Sequence, residues 1–234
     1  MQYTLEVCAA SMQSVAAAAA GGAHRIELCS ALSLDGLTPS MGMIRIVKER
    51  FPQLTLHVLI RPREGNFVYN DVELATMQSD IIECRKAGAD SVVVGALTSE
   101  GDIDLAAMQR LMEAADTLPV TFHRAFDVCR HPEEALEQII ALGCRRILTS
   151  GQQPTAEQGI PLLHRLNQQA DGRIILMPGG GVNATNAPLI LQQTGCTEIH
   201  ASASSLQPDG LKDTDPQKVR AILEALSTDL NLGS

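Results

Sequence analysis

Strand-length apolar runs alternate with helix-length runs eight times along this chain, and few folds accommodate that order. Strand patterns fall at residues 3–8, 24–29, 54–60, 91–95, 120–123, 146–150, 174–177 and 198–202. Helix patterns follow at 11–20, 41–50, 71–87, 104–115, 132–142, 157–169, 184–193 and 215–226. Such alternation implies a parallel sheet covered by helices. Eight units in 234 residues match one closed (β/α)₈ TIM barrel, read as a single domain over residues 1–234. An open doubly wound sheet is the rival. It usually has fewer strands and a Gly-rich first turn, and no GxGxxG follows the first strand here.

A spaced repeat supports the barrel. Gly22-Ala23, Gly88-Ala89, Gly143-Cys144 and Gly195-Cys196 each close a helix shortly before an even-numbered strand. Gly there is the left-handed helix stop. The intervals each span two units, although Gly ends helices well in any fold.

Two strands echo one another: Leu5-Glu6-Val7-Cys8 and Ile26-Glu27-Leu28-Cys29. In a barrel, one strand face meets the helices and the other meets the lumen. The apolar parity (Leu5, Val7, Ile26, Leu28, Val58, Ile60, Val120, Phe122, Ile199, Ala201) belongs to the helices. The opposite parity sends Thr4, Glu6, Cys8, Arg25, Glu27, Cys29, His57, Arg61, Thr121, His123, Arg146, Ser150, Glu198, His200 and Ser202 inward. That lumen is unusually polar, since barrel interiors are normally filled by branched aliphatics. Glu6, Glu27 and Glu198 are therefore expected to neutralise Arg25, Arg61 and Arg146. The lower members, Arg25, Arg146 and Glu198, read as a structural ion ladder. Residues at strand C-termini read as a site, because barrel sites sit at that end.

Composition narrows the function. Hydrophobic residues make up 45% and aromatics 3%, so the core is aliphatic. A net charge of −9 argues against a nucleic-acid partner and against anionic lipid. No run approaches a membrane span. Residues 15–22 are small and apolar but lack a basic leader, so they do not read as a signal peptide. A cytoplasmic protein with six reduced Cys is expected. No tight CxxC pair marks a structural zinc site.

Several groups could carry chemistry. Cys8 and Cys29 end adjacent strands on one face. Their thiols suit a soft ion such as Cu(I), a disulfide, or plain core packing. Cys129, on the same rim, is a candidate third sulfur, while Cys84, Cys144 and Cys196 read as core. His123 and Asp127 form an acid–base pair or a hydrogen bond that shapes a loop, with Glu6 and Glu27 as further acid–base candidates. Arg61 and Arg63 clamp an anion, or Arg61 pairs with a lumen Glu while Arg63 is solvated. Gly179, Gly180 and Gly181 precede a helix and offer bare amides to a phosphate. Arg124, Ser150, His200 and Ser202 are the remaining anion-binding candidates on this rim.

Leu5-Glu6-Val7-Cys8, Arg25-Ile26-Glu27-Leu28-Cys29, Gly36-Leu37-Thr38-Pro39-Ser40, Ile60-Arg61-Pro62-Arg63, Thr121-Phe122-His123-Arg124-Ala125-Phe126-Asp127 and Leu148-Thr149-Ser150-Gly151 together resemble the copper homeostasis protein CutC family. The resemblance runs to about Ser205 and resumes at Thr214-Asp215 and Lys218-Val219. It implies a cytoplasmic barrel, dimeric or larger, with a Cu(I) role for Cys8 and Cys29. One departure is the short segment from Ser202 to Thr214, where the family carries a longer loop with basic and Met/Ser residues. The alternative to copper is an enzyme acting on a small anionic or phosphorylated metabolite at the barrel rim.

Overall fold

A computed structural model of the protein describes residues 3–207, 210 and 212–229. Eight strands form its centre: β1 (Thr4–Ala9), β2 (Arg25–Leu28), β3 (Thr55–Leu59), β4 (Ser91–Val94), β5 (Val120–Phe122), β6 (Arg146–Thr149), β7 (Ile175–Pro178) and β8 (Glu198–Ala201). All pair in parallel, in the order β7-β6-β5-β4-β3-β2-β1-β8. The two ends meet through one bridge between Gly179, just past β7, and His200 of β8. The expected (β/α)₈ barrel is therefore present, nearly closed.

Eight helices surround it: α1 (Met12–Gly21), α2 (Met41–Arg50), α3 (Asp71–Lys86), α4 (Leu105–Ala115), α5 (Pro132–Ala141), α6 (Ile160–Ala170), α7 (Ala187–Thr194) and α8 (Pro216–Asp229). Local chemistry sets their ends. Ser11 caps α1 by accepting from Ser14 N, and Asn70 and Glu73 form a reciprocal capping box on α3. Gly22, Gly88, Gly143 and Gly195 all adopt φ between 73° and 89°, the left-handed stop the repeat predicts. Two helices start three residues later than their patterns, at Ile160 and Ala187. Pro161 and Pro188 sit in their first turns, where a missing N–H costs nothing.

The parity expectation holds. All ten residues assigned to the helix-facing set belong to the main apolar core. Inside the barrel, Cys8, Cys29, Leu59 and Val93 form a second, small apolar cluster. Below it lies the ion ladder. Arg25 bonds both Glu6 and Glu198, and Arg146 Nε donates to Glu198 at 2.7 Å. His57 Nδ1 stands 2.9 Å from Glu6 Oε2 without hydrogen-bond geometry, and burial lowers its pKa from the ordinary imidazole value. Excellent pairing is what makes such burial of charge tolerable.

Two expectations are corrected. Arg61 does not join the ladder. It follows β3 at the rim, where carbonyls of the returning loops face it, and it donates to Leu34 O, Gly36 O and Gly65 O at 2.9, 3.2 and 2.9 Å. Glu27 is correspondingly left without an arginine partner among the described residues. The segment after β8 is also more than a loop. It forms an antiparallel hairpin, β9 (Ser204–Leu206) with β10 (Lys212–Thr214). Ser11 and Ser14 hydroxyls donate to Asp213 Oδ1 and tie this hairpin to α1.

Candidate functional site

The C-terminal mouth of the barrel holds a cavity of about 440 Å³. Strands β1, β2 and β8 contribute Cys8, Glu27 and His200 to its lining. The segments after β3 and β5 contribute Arg61, His123, Arg124 and Asp127. Strand register explains the first group: Cys8 pairs with Glu27 across β1–β2, and Glu6 pairs with His200 across β1–β8.

Cys8 Sγ and Cys29 Sγ lie 3.6 Å apart, and both are free thiols. They are not equivalent. Cys8 lines the cavity, whereas Cys29 is fully buried and its thiol faces Ala9 O at 3.8 Å. The Cys29 contact and burial push the Cys8 thiol well above its ordinary range. In donor chemistry the pair fits Cu(I), a soft ion that favours sulfur in dry surroundings. Cys129 is not a third member. It sits beside Gln152 Nε2 at 3.5 Å and lines a separate small cavity with Asp102 and His131. Burial pushes its thiol to about 11.

His200 organises the same wall. Its Nδ1 is 2.8 Å from Glu6 Oε1, and its Nε2 is 3.7 Å from Glu27 Oε2. One ligand atom each from Cys8, Glu27 and His200 falls within a 4.8 Å set. Burial opposes charge on His200, but bonds to Cys8 and Glu6 and the charges of Glu27 and Glu6 raise it well above the usual imidazole range. Burial also opposes charge on Glu6, yet His57, His200 and Arg25 together hold it well below the usual carboxylate range. Burial dominates at Glu27 and raises it.

The facing residues behave differently. His123 Nδ1 accepts from Ala125 N at 3.1 Å, which leaves the ring proton on Nε2. Burial, reinforced by the Arg61 charge, lowers His123 to about 3, so it is neutral at pH 7. Its ring packs 4.9 Å from Phe67, over which Arg61 is also stacked at 5.0 Å. His123 Nε2 and Arg61 Nε are both buried donors with no acceptor among the described residues. Buried polar atoms are rarely left so.

Asp127 does not bond His123. Its carboxylate accepts from Thr149 Oγ1, Ser150 N, Ser150 Oγ, Gln152 N and Arg124 Nε, at 2.5 to 3.2 Å. It therefore shapes the rim, and Arg124 reaches Ser150 Oγ from the same knot. Arg63 turns away from Arg61, donating to Glu73 and Val68 O and stacking 5.2 Å from Tyr69. The two arginines do not converge.

The glycine loop is used for close packing. A Cβ on Gly179 would lie 2.6 Å from Leu148 Cδ1 and 3.2 Å from His200 Cβ. Gly180 O accepts from Ala156 N, and Gly181 O from Asn186. Gly181 and Ser202 line a second cavity, also about 440 Å³, with Lys218. The anion candidates thus divide between two places. Sequence reasoning places His200 among them and misses its partnership with Cys8 and Glu27. Shared inward parity is the signal that could have revealed it.

No described helix is long and apolar enough to cross a membrane. A protein of Bacteroides thetaiotaomicron named as CutC family is 56% identical over 202 residues, 86% of this chain and 81% of that one. The human protein named copper homeostasis protein cutC homolog is 48% identical over 210 residues, 90% of this chain and 77% of its own. The crystal structure of a CutC protein from Streptococcus agalactiae superposes with a TM-score of 0.82 at 36% identity, over 86% of this chain and 99% of that one. The family model described as CutC family matches residues 3–205, and the chain belongs to that family.

Proposed function

We propose that this protein binds Cu(I) in copper homeostasis, through Cys8 and Cys29. The carrying observation is the 3.6 Å approach of two free thiols at the barrel mouth. The family name of the human relative points the same way. The ion would bring soft Lewis acidity, and the two sulfurs would hold it. Cys8 must lose its proton to do so, and the hydrogen bond from His200 favours the thiolate. The same reading puts the protein in the cytoplasm, where its thiols stay reduced, as a homodimer or larger, with no nucleic-acid or membrane partner. The test is an anaerobic Cu(I) competition titration against a chelating indicator. One ion per chain is expected, lost in Cys8→Ser plus Cys29→Ser. Unchanged stoichiometry and affinity in that double variant would overturn the reading.

A second reading has its own observation. Arg61 Nε and His123 Nε2, two buried donors without acceptors among the described residues, belong to residues lining one cavity. Donors so placed suit an anionic oxygen, as in an enzyme acting on a small anionic or phosphorylated metabolite. Glu27 is its acid–base group, and the reaction class is left open by the fold. The measurement is a thermal-shift screen of sugar phosphates and organic acids. A shift that disappears in Arg61→Ala supports it, and no shift with any compound counts against it.

A further inference from the structure

We infer that Cys8, Glu27 and His200 form a three-ligand site for a borderline divalent cation of the zinc type, open on its fourth side to the cavity. This site shares Cys8 with the copper reading but does not use Cys29.

The donor set suits such an ion. A thiol, a carboxylate and an imidazole offer one atom each within a 4.8 Å set. A tetrahedral site with bonds of about 2.0–2.3 Å needs its ligand atoms roughly 3.5 Å apart. His200 Nε2 and Glu27 Oε2 are already 3.7 Å apart, and no pair in the set exceeds 4.8 Å. Mixed S, N and O ligands select a borderline ion over a hard one such as Mg²⁺.

The pairing of the charged groups around the site also leaves Glu27 available as a ligand. Glu6 and Glu198 already face Arg25 and Arg146. Glu27 is 6% exposed and has no Lys or Arg partner among the described residues. Its carboxylate faces the imidazole of His200, 3.7 Å away, and the Cys8 thiol. A buried carboxylate in that position is normally paired or bound to a metal. A dication would balance the carboxylate and the Cys8 thiolate together, and as it binds one proton would leave Cys8 Sγ and one would leave His200 Nε2.

The imidazole is already oriented for the task. Metal-binding histidines characteristically give their other ring N–H to a carboxylate. His200 does this through Nδ1 to Glu6 Oε1 at 2.8 Å, which leaves Nε2 turned toward Glu27. Strand register fixes this partnership, because Glu6 and His200 are direct neighbours across β1–β8. Three protein ligands with one open position is the pattern of reactive rather than structural zinc. The open side shares its cavity with Arg61 and Arg124, so an anionic oxygen is the fitting fourth ligand.

The experiment titrates reduced, chelator-treated protein anaerobically with Co²⁺, then displaces it with Zn²⁺. One Co²⁺ per chain is expected, with a thiolate-to-cobalt charge-transfer band and the d–d intensity of four-coordination. Cys8→Ser should remove the charge-transfer band. Glu27→Gln should weaken Zn²⁺ by more than the ~10–100-fold typical of losing a ligand's supporting partner. Cys29→Ser should keep the cobalt spectrum while Cu(I) binding fails, which separates this site from the two-thiol one. His200→Gln touches the barrel seam, so Glu27→Gln, a near-isosteric change, is the deciding variant if His200→Gln does not fold. Cobalt bound without a thiolate band, or Zn²⁺ affinity unchanged in Glu27→Gln, overturns the inference.

Discussion

Glu6 Oε1 and His200 Nδ1 lie 2.8 Å apart across neighbouring strands, so the carboxylate that orients the mouth also anchors the ladder below it. Glu6 contacts Arg25, His57 and His200 at once. Glu6→Gln keeps the shape but strips the charge all three share. The expected loss is about 3–5 kcal/mol of unfolding free energy, the cost of breaking a buried pair from one side. Urea denaturation at pH 7 reads it, and a loss under about 1 kcal/mol would show the ladder to be dispensable.

His123 sets a pH dependence of known sign. Its folded value is about 3, against about 6.5 in the unfolded chain. Below pH 6.5 the unfolded state takes up the proton more readily, so this contribution is complete above pH 6.5 and is lost as pH falls toward 3. Between pH 7 and 4.5 the loss is on the order of 2–3 kcal/mol. His123→Phe, which suits a ring packed on Phe67, should show a smaller acid loss than the parent. The two proteins share every other titrating group, so the difference between their pH profiles isolates His123.

Gly179→Ala should destabilise by about 1–3 kcal/mol through overpacking. The added carbon meets Leu148 and His200, both of which line the mouth. A thermal melt should fall by several degrees. An unchanged Tm would mean that β6 and β8 yield at no cost.

Asp127→Asn should loosen the rim while leaving the barrel intact. One carboxylate receives the donors of Thr149, Ser150, Gln152 and Arg124. Amide exchange at Ser150 and Gln152 should accelerate, with a stability loss of about 1–3 kcal/mol. Protection unchanged at those two amides would remove Asp127 from its organising role.

Much of the fold and mouth is legible in the sequence because a strand's two-residue period carries its own geometry. Once Leu5 and Val7 are assigned to the helices, Glu6 and Cys8 have nowhere to go but the lumen, and they are there. The contact of Cys8 with Cys29 and the pairing of Arg25 with Glu6 and Glu198 follow from that parity. What parity cannot give is height along the barrel axis. Arg61 shares inward parity with Glu27, yet it sits above the carboxylates among loop carbonyls. His200 reads in sequence as a rim anion binder, and only strand register couples it to Glu6. The β9–β10 hairpin escapes a sequence reading because its two short strands, Ser204–Leu206 and Lys212–Thr214, are almost wholly polar and show no apolar alternation. Arg63 is absent from the mouth because Glu73, the α3 capping residue, holds it.

The single bridge between Gly179 and His200 has a mechanical consequence. Neighbouring strands elsewhere share two or more register positions, whereas β7 and β8 are joined at one. The barrel is thus a ring that packs closely all the way round but is laced at this seam by one backbone bridge. His200 is that fastening and also a neighbour of Cys8 and Glu27. The residue that joins the ends of the sheet is therefore one of the residues that line the mouth, so a substitution there bears on closure and chemistry together.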